Sequence, residues 1–427
     1  MNFLESVKQN FKLCAQKDCT LCRACVNICP KDAIVTSRDV YGYEKLEIDS
    51  QKCIDCGLCS KVCKQRDEVK TNTPITCFAA QATDRDKLKL SASGGVFQIL
   101  ARQVLENGGV CYGSEGKLED GKYTAAHIRV DAAEDLHRIL NTKYVPSDAT
   151  DAYKNAKADL ESGKFVLFCS TPCQIQGLKA FLGKEYENLL TADLICHGIV
   201  SINLFNDYLD ELEKRDNITI TDFQFRDKSV SWGTNFCYSY YKNNSKSKKV
   251  KMRHFPREAS SYITNFLKGN TCRENCYSCS LSNGKRIGDF TLGDYWAIEA
   301  EYPEFIIKSK PNISLKRGVS CVLVNTQKAE DYINNISSKM ILREVAFNSI
   351  AAHNANLITS SRRGTDREML LKIYREKGYS AVEEHHQRKI GKKAIVYKVK
   401  NSLKSRLPDR VRILIFRTPF LKKFFFR

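Results

Sequence analysis

A repeated run of four cysteines constrains the fold of this chain more than any other feature of its sequence. Near the N-terminus, cysteines follow one another at spacings of three, three and four positions, and the same run recurs 34 positions later. The eight residues are Cys19, Cys22, Cys25, Cys29, Cys53, Cys56, Cys59 and Cys63. In two-cluster ferredoxins, three cysteines of such a run bind one cubane and the fourth cysteine binds the other.

The repeat therefore predicts two [4Fe–4S] clusters that exchange their fourth ligands. The predicted ligand sets are Cys19, Cys22, Cys25 and Cys63 for one cluster, and Cys53, Cys56, Cys59 and Cys29 for the other. Zinc is the alternative metal, but zinc usually takes four ligands in two separated pairs. Lys64 follows Cys63 where this motif usually has a proline, and that departure removes no ligand.

A third group of cysteines lies in the second half of the chain. Cys272, Cys276 and Cys279 supply three thiolates on one loop, one fewer than a cubane needs. The fourth ligand is expected to be Cys173, at a predicted helix start, or Cys196, at a predicted strand end, with Cys196 slightly favoured. Both positions follow strands of an α/β sheet, where functional groups usually collect. A zinc knuckle built from the same cysteines is the alternative.

The remaining cysteines show no ligand spacing, and a lone cysteine is usually a small buried apolar residue. They are Cys14, Cys77, Cys111, Cys169, Cys237 and Cys321. No N-terminal segment combines a basic start with a long apolar run, and no apolar stretch approaches the roughly 18–20 residues of a membrane span. We therefore expect a cytoplasmic chain whose cysteines bind metal rather than form disulfides.

The pattern after the cysteine repeat predicts a larger mixed α/β domain. Residues 165–168 and 189–196 resemble buried strands, and a helix-start pattern with a proline follows the first of them. The predicted fold class is α+β, with an N-terminal ferredoxin-like domain followed by the larger domain. The predicted boundaries are 1–70 for the two-cluster domain, 75–155 and 156–350 for the two parts of the larger domain, 351–387 for a helical connection and 388–427 for a basic tail.

Most of the positive charge lies in that tail. Residues 388–427 contain 14 Lys and Arg against one acidic residue, Asp409, and so carry +13 of the net charge of +19. Apolar and aromatic residues are interspersed with the cations, including three phenylalanines at 424–426. Basic amphipathic segments of this kind bind anionic membranes. We therefore expect peripheral docking of residues 388–427 at the inner face of the membrane, whereas nucleic acid is not an expected partner.

Seven short motifs occur in the order typical of one known family. They are SASGG (91–95), NTKYVPSD (141–148), STPCQIQGLK (170–179), DLICHGIVS (193–201), FRDKSVSWG (225–233), CRENCYSC (272–279) and GDFTLGDYW (288–296). On these residues the chain resembles the coenzyme F420 hydrogenase/dehydrogenase beta-subunit family over roughly 19–350. The resemblance implies an iron–sulfur flavoprotein that holds FAD and exchanges electrons with a deazaflavin or another two-electron acceptor.

The resemblance places the flavin in the larger domain. Ser93, Gly94 and Gly95 open a predicted helix, whose unpaired N–H groups and positive dipole end suit a pyrophosphate. Lys143 lies in a segment similar to the family's flavin-contacting stretch, so its ammonium is expected to face a phosphate or the N1 edge of the ring. A solvated surface lysine is the alternative.

Further residues are expected at the flavin or at its substrate. Thr171 and Gln174 lie next to a proline-fixed turn and are expected to contact one of the two. His197 is expected to move a proton near the flavin, with a structural histidine as the equal alternative. Arg226 and Lys228 are expected to bind an anionic substrate. Two acidic residues expected to orient basic groups or ribose hydroxyls are Asp289 and Asp294.

The sequence thus predicts an iron–sulfur flavoprotein oxidoreductase with two N-terminal [4Fe–4S] clusters, a third cluster and FAD. Clusters carry single electrons, whereas a flavin exchanges one or two, so the flavin is the expected converter. The expected partners are a ferredoxin-type electron donor or another redox protein, and a small-molecule acceptor. The alternatives are an electron-relay subunit without a substrate site, and a metal-stabilised protein whose tail binds nucleic acid.

Overall fold

A computed structural model describes residues 13–63, 70–84, 87–229, 232–245, 247–391 and 406–418, with five isolated positions between the last two ranges. Residues 13–63 form a small domain, and the other described residues form a larger mixed α/β domain with its own extensive cores. This arrangement confirms the predicted fold class.

The small domain repeats its backbone as well as its cysteines. Its elements are α1 (Ala24–Ile28), β1 (Ile34–Arg38), β2 (Glu44–Ile48) and α2 (Leu58–Lys61), with β1 and β2 paired antiparallel. Arg23 before α1 and Gly57 before α2 adopt φ values of 65° and 71°. Leu21 and Asp55, also 34 positions apart, have φ values of 55° and 54°. The backbone of each half therefore adopts the left-handed conformation at the same two positions after its first cysteine.

Two sheets form the frame of the larger domain. Their strands are β3 (Thr76–Ala82), β4 (Val110–Glu119), β5 (Lys122–Val130), β6 (Val166–Ser170), β7 (Leu189–Leu194), β8 (Ile218–Gln224), β9 (Asn235–Lys242), β10 (Lys251–Pro256), β11 (Phe290–Asp294), β12 (Ser320–Val324) and β13 (Met340–Glu344). The eight-stranded sheet has the order β13-β3-β12-β11-β7-β6-β4-β5, and the three-stranded sheet has the order β10-β9-β8. In the large sheet β4, β6, β7 and β11 run parallel to one another, whereas the flanking strands pair antiparallel.

Helices pack on both faces of the large sheet and against the small sheet. They are α3 (Val96–Glu106), α4 (Ala152–Glu161), α5 (Pro172–Leu182), α6 (Ile202–Asp216), α7 (Ser261–Leu267), α8 (Ile298–Glu301), α9 (Glu304–Ile307), α10 (Gln327–Asn335), α11 (Phe347–Ala351), α12 (Arg367–Ile390) and α13 (Asp409–Arg417). Helices α3 and α10 pack on one face, and α4 and α5 pack on the other. Buried strands covered on both sides are near-continuously apolar, which is why 165–168 and 189–196 identified β6 and β7 from sequence.

Part of the basic tail packs against the larger domain. Ile413 and Ile415 of α13 are 5% and 4% exposed, and Ile413 joins the core that contains Ile298 of α8 and Ile306 of α9. The Asp409 carboxylate accepts a hydrogen bond from the backbone N–H of Leu315, which belongs to the same core. Protein, not membrane, therefore covers these two apolar residues, which corrects the expectation for this part of the tail.

Other tail residues stay open to solvent. Val396, Val399 and Leu403 are about half exposed, and their spacing of three and four positions suits one face of a helix. The phenylalanines at 424–426 lie outside the described residues. None of the helices in the described part of the chain combines the length and apolar character that crossing a membrane requires.

Candidate functional site

The first group of thiols consists of Cys19, Cys22, Cys25 and Cys63. The Cys25 thiol interacts electrostatically with the other three, so the structure brings these four residues together. Cys14 joins them, because its side chain forms hydrogen bonds with Cys19 and Cys63 that raise the pKa of Cys14. The same bond lowers the pKa of Cys19 to about 6. The sequence pattern treats Cys14 as an isolated apolar cysteine, and the structure corrects that prediction.

The second group of thiols surrounds Cys59. Cys29, Cys53 and Cys56 interact electrostatically with the Cys59 thiol, which makes up the other predicted ligand set. Cys56 is exposed at the surface of the small domain. Cys25 of the first group also interacts with Cys59, so the two groups are neighbours.

The third group contains five thiols rather than four. They belong to Cys173, Cys196, Cys272, Cys276 and Cys279, which are connected by electrostatic interactions. Both candidates for the fourth position are therefore present. Burial raises the pKa of Cys173 and of Cys196 to about 12. A thiol binds a metal as its thiolate, so metal binding by either residue would release a proton to solvent.

Gly198 makes room for this third group. It has φ of +122°, and a Cβ at this position would lie 2.9 Å from the Cys272 Sγ and 3.4 Å from the Cys276 Cβ. The Gly198 N–H also donates a hydrogen bond to the Cys196 Sγ at 3.4 Å. Only glycine provides both the backbone conformation and the space here.

The spacing of the thiols fits a cubane better than a zinc ion. In the part of the chain that the structure describes, no three cysteine thiols lie within 4.8 Å of one another. A tetrahedral zinc ion would hold its sulfur ligands about 3.8 Å apart. Four separate irons hold their thiolates further apart, and a cavity of ≈ 360 Å³ lies among the thiols of the first group. The cysteines present therefore fit iron–sulfur clusters.

The two domains meet where the first group adjoins the third. Cys22 interacts electrostatically with Cys173, and the Tyr153 hydroxyl donates a hydrogen bond to the Cys22 carbonyl at 2.6 Å. Gly177, one turn after Cys173 in α5, allows this contact, because a Cβ there would lie 2.8 Å from the Cys22 Cβ. Arg273, next to Cys272, donates hydrogen bonds to the backbone of the small domain.

A cavity of ≈ 910 Å³ lies on the other side of the third group. Cys196 and His197 line it, so it begins where the third group ends. The cavity lies at the carboxyl ends of β6, β7 and β11, the usual ligand position in an open α/β sheet. Residues at the first turns of α3 and α5 also line it, and helix N-termini attract phosphates. Its volume and its surroundings fit a dinucleotide such as FAD.

Packing within the protein explains part of the glycine motif before α3. A Cβ on Gly94 would lie 2.2 Å from the Ala80 carbonyl oxygen, so this residue must be glycine. The Gly94 N–H donates to the Ser320 hydroxyl at 2.9 Å, and the Ser93 hydroxyl donates to the Val319 carbonyl at 2.8 Å. Gly94 therefore does not offer the free N–H predicted for it, whereas Ser93 and Gly95 still line the cavity.

Three other predicted flavin contacts also line the cavity. Lys143 donates to the Leu140 carbonyl at 2.6 Å, and burial lowers the pKa of its ammonium to about 8. Gln174 accepts from Ser170 and donates to the Ser147 carbonyl, so its amide is used within the protein. Thr171 occupies the N-cap position of α5 without a capping hydrogen bond from its side chain, and its hydroxyl lies 3.3 Å from the Cys173 Sγ. Lys143 also lies 3.5 Å from the Arg138 and Asn141 carbonyl oxygens. It differs from Lys228 because it lines the cavity, and from Arg226 because no described carboxylate forms an ion pair with it.

His197 is held by protein contacts on both ring nitrogens. Its Nδ1 lies 2.9 Å from the Asn356 Oδ1, and its Nε2 lies 3.3 Å from the Phe266 carbonyl oxygen. The ring also meets Phe266 edge-on at 5.0 Å. This geometry favours the structural alternative over a proton shuttle, because neither nitrogen is left for a ligand.

Arg226 and Lys228 also differ from their predicted roles. The Arg226 guanidinium is buried, pairs with both carboxylate oxygens of Asp294 at 2.5 and 3.0 Å, and donates to the Gly233 carbonyl. Lys228 donates to the carbonyls of Ser93 and Arg317 at 2.8 and 2.9 Å. These cations therefore fasten the wall of the cavity and are not free to bind an anionic substrate.

The predicted acidic residues are likewise used within the fold. Asp294 pairs with Arg226, and the Trp232 indole N–H donates to it at 2.9 Å. Asp289 accepts hydrogen bonds from Thr191 and Thr326. Neither carboxylate is available for ribose hydroxyls.

Sequence reasoning missed the residues that close the far end of the cavity. Trp232 and Trp296 stack there with ring centres 5.1 Å apart, and Arg412 and Phe416 reach this end from α13. The Glu299 carboxyl also lines it, and burial raises the pKa of that group. Trp232 and Trp296 lie in two of the seven family motifs, although no role was predicted for them. No local pattern marks Arg412 and Phe416, because they reach the cavity only when the tail folds back onto the domain.

A buried ion pair supports the third thiol group. Arg286 and Asp193, 1% and 0% exposed, are joined by a 2.6 Å contact between the Arg286 Nη2 and the Asp193 Oδ1. Asp193 also accepts from the N–H groups of Ile287 and Gly288. The pair connects the end of β7, just before Cys196, to the loop that follows the third-group cysteines.

Comparisons with known proteins agree with this architecture. Residues 163–349 match the family described as the C terminus of the beta subunit of coenzyme F420 hydrogenase/dehydrogenase. Over these residues, the chain is similar to that family. Residues 18–66 match the 4Fe-4S dicluster domain. The predicted resemblance is thereby confirmed, and the chain is an iron–sulfur electron-transfer protein of the oxidoreductase class.

Solved structures also include a chain that is similar to this one. It belongs to the F420-reducing [NiFe] hydrogenase complex from Methanosarcina barkeri and is 15% identical, with a TM-score of 0.40, over 76% of this chain and 94% of that chain. No curated protein sequence is significantly similar to this chain.

Proposed function

We propose that this protein is an iron–sulfur flavoprotein oxidoreductase that passes electrons from its ferredoxin domain to a two-electron acceptor. The single observation that carries the proposal is the order of the thiol groups. The second group is at the surface, the first group adjoins it, the third group adjoins the first, and the large cavity begins at Cys196 of the third group.

The proposed ligands follow from this order. The first and second groups would each hold a [4Fe–4S] cluster. In the third group we assign Cys196, Cys272, Cys276 and Cys279 to a further cluster, because Cys173 also faces Cys22 of the first group. When bound, the clusters would exchange single electrons and FAD would exchange one or two.

The chain's own residues would prepare the cavity for FAD and its substrate. Lys143 brings a cation to the cavity wall, and the first turns of α3 and α5 add partial positive charge. The pair of Arg226 and Asp294 fixes the wall that carries Trp232. Arg412 and Phe416 of α13 line the cavity, where they would limit the access of water to a bound acceptor.

Anaerobic cofactor analysis of the full chain tests the proposal. We expect flavin together with about twelve irons per chain, at four irons per cubane. We also expect reduced ferredoxin to drive the reduction of an added two-electron acceptor, with a deazaflavin among those tried. Iron without flavin would favour the electron-relay alternative, and zinc without iron would contradict both functions.

The variant Lys143→Met tests the position of the flavin. Because an ammonium with a pKa of about 8 loses its charge above that value, FAD affinity in the unaltered chain should be constant below pH 8 and fall above it. The expected loss between pH 7 and pH 9 is about tenfold. In Lys143→Met, affinity should be weaker at pH 7 and show no such loss. Fluorescence titration at both pH values measures this.

The matched control for that experiment is Lys164→Met. Lys164 pairs with Asp159 at the surface, away from the residues that line the cavity. The variant Lys164→Met should retain the FAD affinity of the unaltered chain and its dependence on pH. An unchanged pH profile in Lys143→Met would remove Lys143 from the flavin site.

We also propose that the tail docks on an anionic membrane surface. The half-exposed residues Val396, Val399 and Leu403 support this, since they can enter the headgroup region while the surrounding lysines and arginines meet anionic lipids. Replacing all three with glutamate should reduce flotation of the full chain with phosphatidylserine vesicles at least tenfold. Val40→Glu, at another exposed apolar position, should leave flotation unchanged. Equal flotation of the triple variant and the unaltered chain would contradict membrane docking.

A further inference from the structure

Three potential metal ligands meet on the small sheet, away from the cysteine groups. One ligand atom each from Asp227, Cys237 and His254 lies within 4.8 Å of the other two. Among the residues that the structure describes, no other three His, Cys, Asp or Glu side chains come this close. The spacing differs from that of the three thiol groups and suits a single ion.

The chain order brings these residues to one face. Cys237 of β9 and His254 of β10 are directly opposite each other in the antiparallel register, so their side chains lie on the same side of the sheet. Asp227 comes three residues after β8, and its N–H donates to the Asn235 carbonyl at 2.8 Å, which returns the loop to the start of β9. The loop therefore holds the Asp227 carboxylate over the pair.

The contacts show a site that is partly fixed and partly open. The His254 Nδ1 lies 2.7 Å from the Asp227 Oδ2, and the other Asp227 oxygen accepts the Ser229 N–H at 2.9 Å. The Cys237 thiol lies 3.5 Å from the Gln224 Oε1. Asp227 and Cys237 are buried, whereas the His254 side chain is 36% exposed. An ion can therefore reach two buried ligands from the side of His254.

The donor set decides which ion fits. Thiolate, imidazole and carboxylate together are typical of zinc, whereas calcium and magnesium prefer oxygen ligands alone. Zinc lies about 2.0–2.3 Å from such ligands, which a triangle within 4.8 Å can supply with small side-chain adjustments. The two anionic ligands, once the thiol releases its proton to solvent, would balance the dication.

We propose that Asp227, Cys237 and His254 bind a zinc ion, with water as the fourth ligand on the exposed side of His254. The ion would fasten Asp227, in the loop that ends at Asn235, to the small sheet. That loop carries Trp232 and Gly233 into the wall of the large cavity. Zinc would thus fix part of the substrate end of the cavity without contacting the cysteine groups.

Metal analysis of the full chain tests this site independently of the iron and flavin. After dialysis against zinc sulfate and removal of free metal, we expect about one zinc per chain. His254→Ala and Asp227→Asn should lose that zinc and keep the iron of the unaltered chain. His137→Ala, at an exposed histidine with only a local backbone contact, should retain it. Zinc K-edge X-ray absorption should show one sulfur ligand and two or three nitrogen or oxygen ligands.

Two results would overturn the proposal. One is equal zinc content in His254→Ala and the unaltered chain. The other is a zinc ion with sulfur ligands only, which would belong to the cysteine groups. Iron-poor protein that still binds zinc through His254 would sustain the zinc site while contradicting the proposed electron-transfer function, so the two failures are distinguishable.

Discussion

Replacing Cys22 with alanine is expected to lower the iron content of the anaerobically reconstituted chain from about twelve to about eight atoms. Cys22 stands among the first-group thiols and is also the residue of that group that faces Cys173. Four thiolates hold a cubane, so we expect the loss of the Cys22 thiolate to release it. The variant should therefore lose the first cluster and the connection between the ferredoxin domain and the third group.

Loss of that connection should lower the rate of acceptor reduction by a larger factor than it lowers the iron content. We expect ferredoxin-driven reduction of the acceptor to fall at least 100-fold in Cys22→Ala, because the second cluster would then be separated from the cavity. Iron analysis and a stopped-flow record of acceptor reduction measure the two effects. FAD content should stay the same, since Cys22 does not line the large cavity.

Cys77→Ala is the matched control for this change. Cys77 is a buried cysteine of β3, and its side chain packs in an apolar core. The substitution removes the thiol of a residue that is more deeply buried than Cys22, and it should leave iron and acceptor reduction unchanged. If Cys22→Ala also kept all of its iron, the assignment of the first group would be wrong.

The second large effect is expected for Arg286→Met. The substitution leaves the buried Asp193 carboxylate without its cation, and breaking a buried ion pair from one side costs about 3–5 kcal/mol of unfolding free energy. Because the pair lies between Cys196 and the loop after Cys279, the third group should also bind its iron less tightly. Urea unfolding followed by the fluorescence of Trp232 and Trp296 measures the stability of this domain.

A surface ion pair provides the control for Arg286→Met. Lys122 and Asp210 lie 2.8 Å apart, and both side chains are about half exposed. Lys122→Met should change the unfolding free energy by less than about 1 kcal/mol, because solvent screens this pair. Equal effects of the two substitutions would show that the Arg286 pair contributes no more than a surface contact.

Features set by local spacing were predictable from the sequence. The cysteine repeat determines which thiols can meet, and the structure repeats it in the paired φ values at Arg23 and Gly57. The apolar runs that became β6 and β7 were equally clear, because strands covered on both faces are continuously apolar. The helix after Pro172 followed from its start pattern.

Partners distant in the chain were not predictable. Arg226 has the chemistry of an anion-binding residue, but its partner Asp294 is 68 positions away and takes up its charge. His197 is held by Asn356, which is 159 positions away. A single sequence gives the chemical type of a residue but not its hydrogen-bond or ion-pair partner. Ligand-binding roles were therefore predicted for residues whose polar groups are already paired within the protein.

The basic tail is a second case in which the sequence did not give the partners of its residues. Its charge and apolar residues predicted a membrane surface, yet Ile413 and Ile415 pack against the larger domain and Phe416 lines the cavity. Composition does not distinguish an apolar surface supplied by lipid from one supplied by the chain itself. The membrane proposal therefore rests on three tail residues that stay exposed, Val396, Val399 and Leu403.

The most direct test of the electron-transfer account is the iron and acid-labile sulfide content of the full chain after anaerobic reconstitution. Three occupied thiol groups predict about twelve irons and an equal amount of sulfide, with the brown colour of [4Fe–4S] clusters. A colourless chain with neither iron nor sulfide would contradict it.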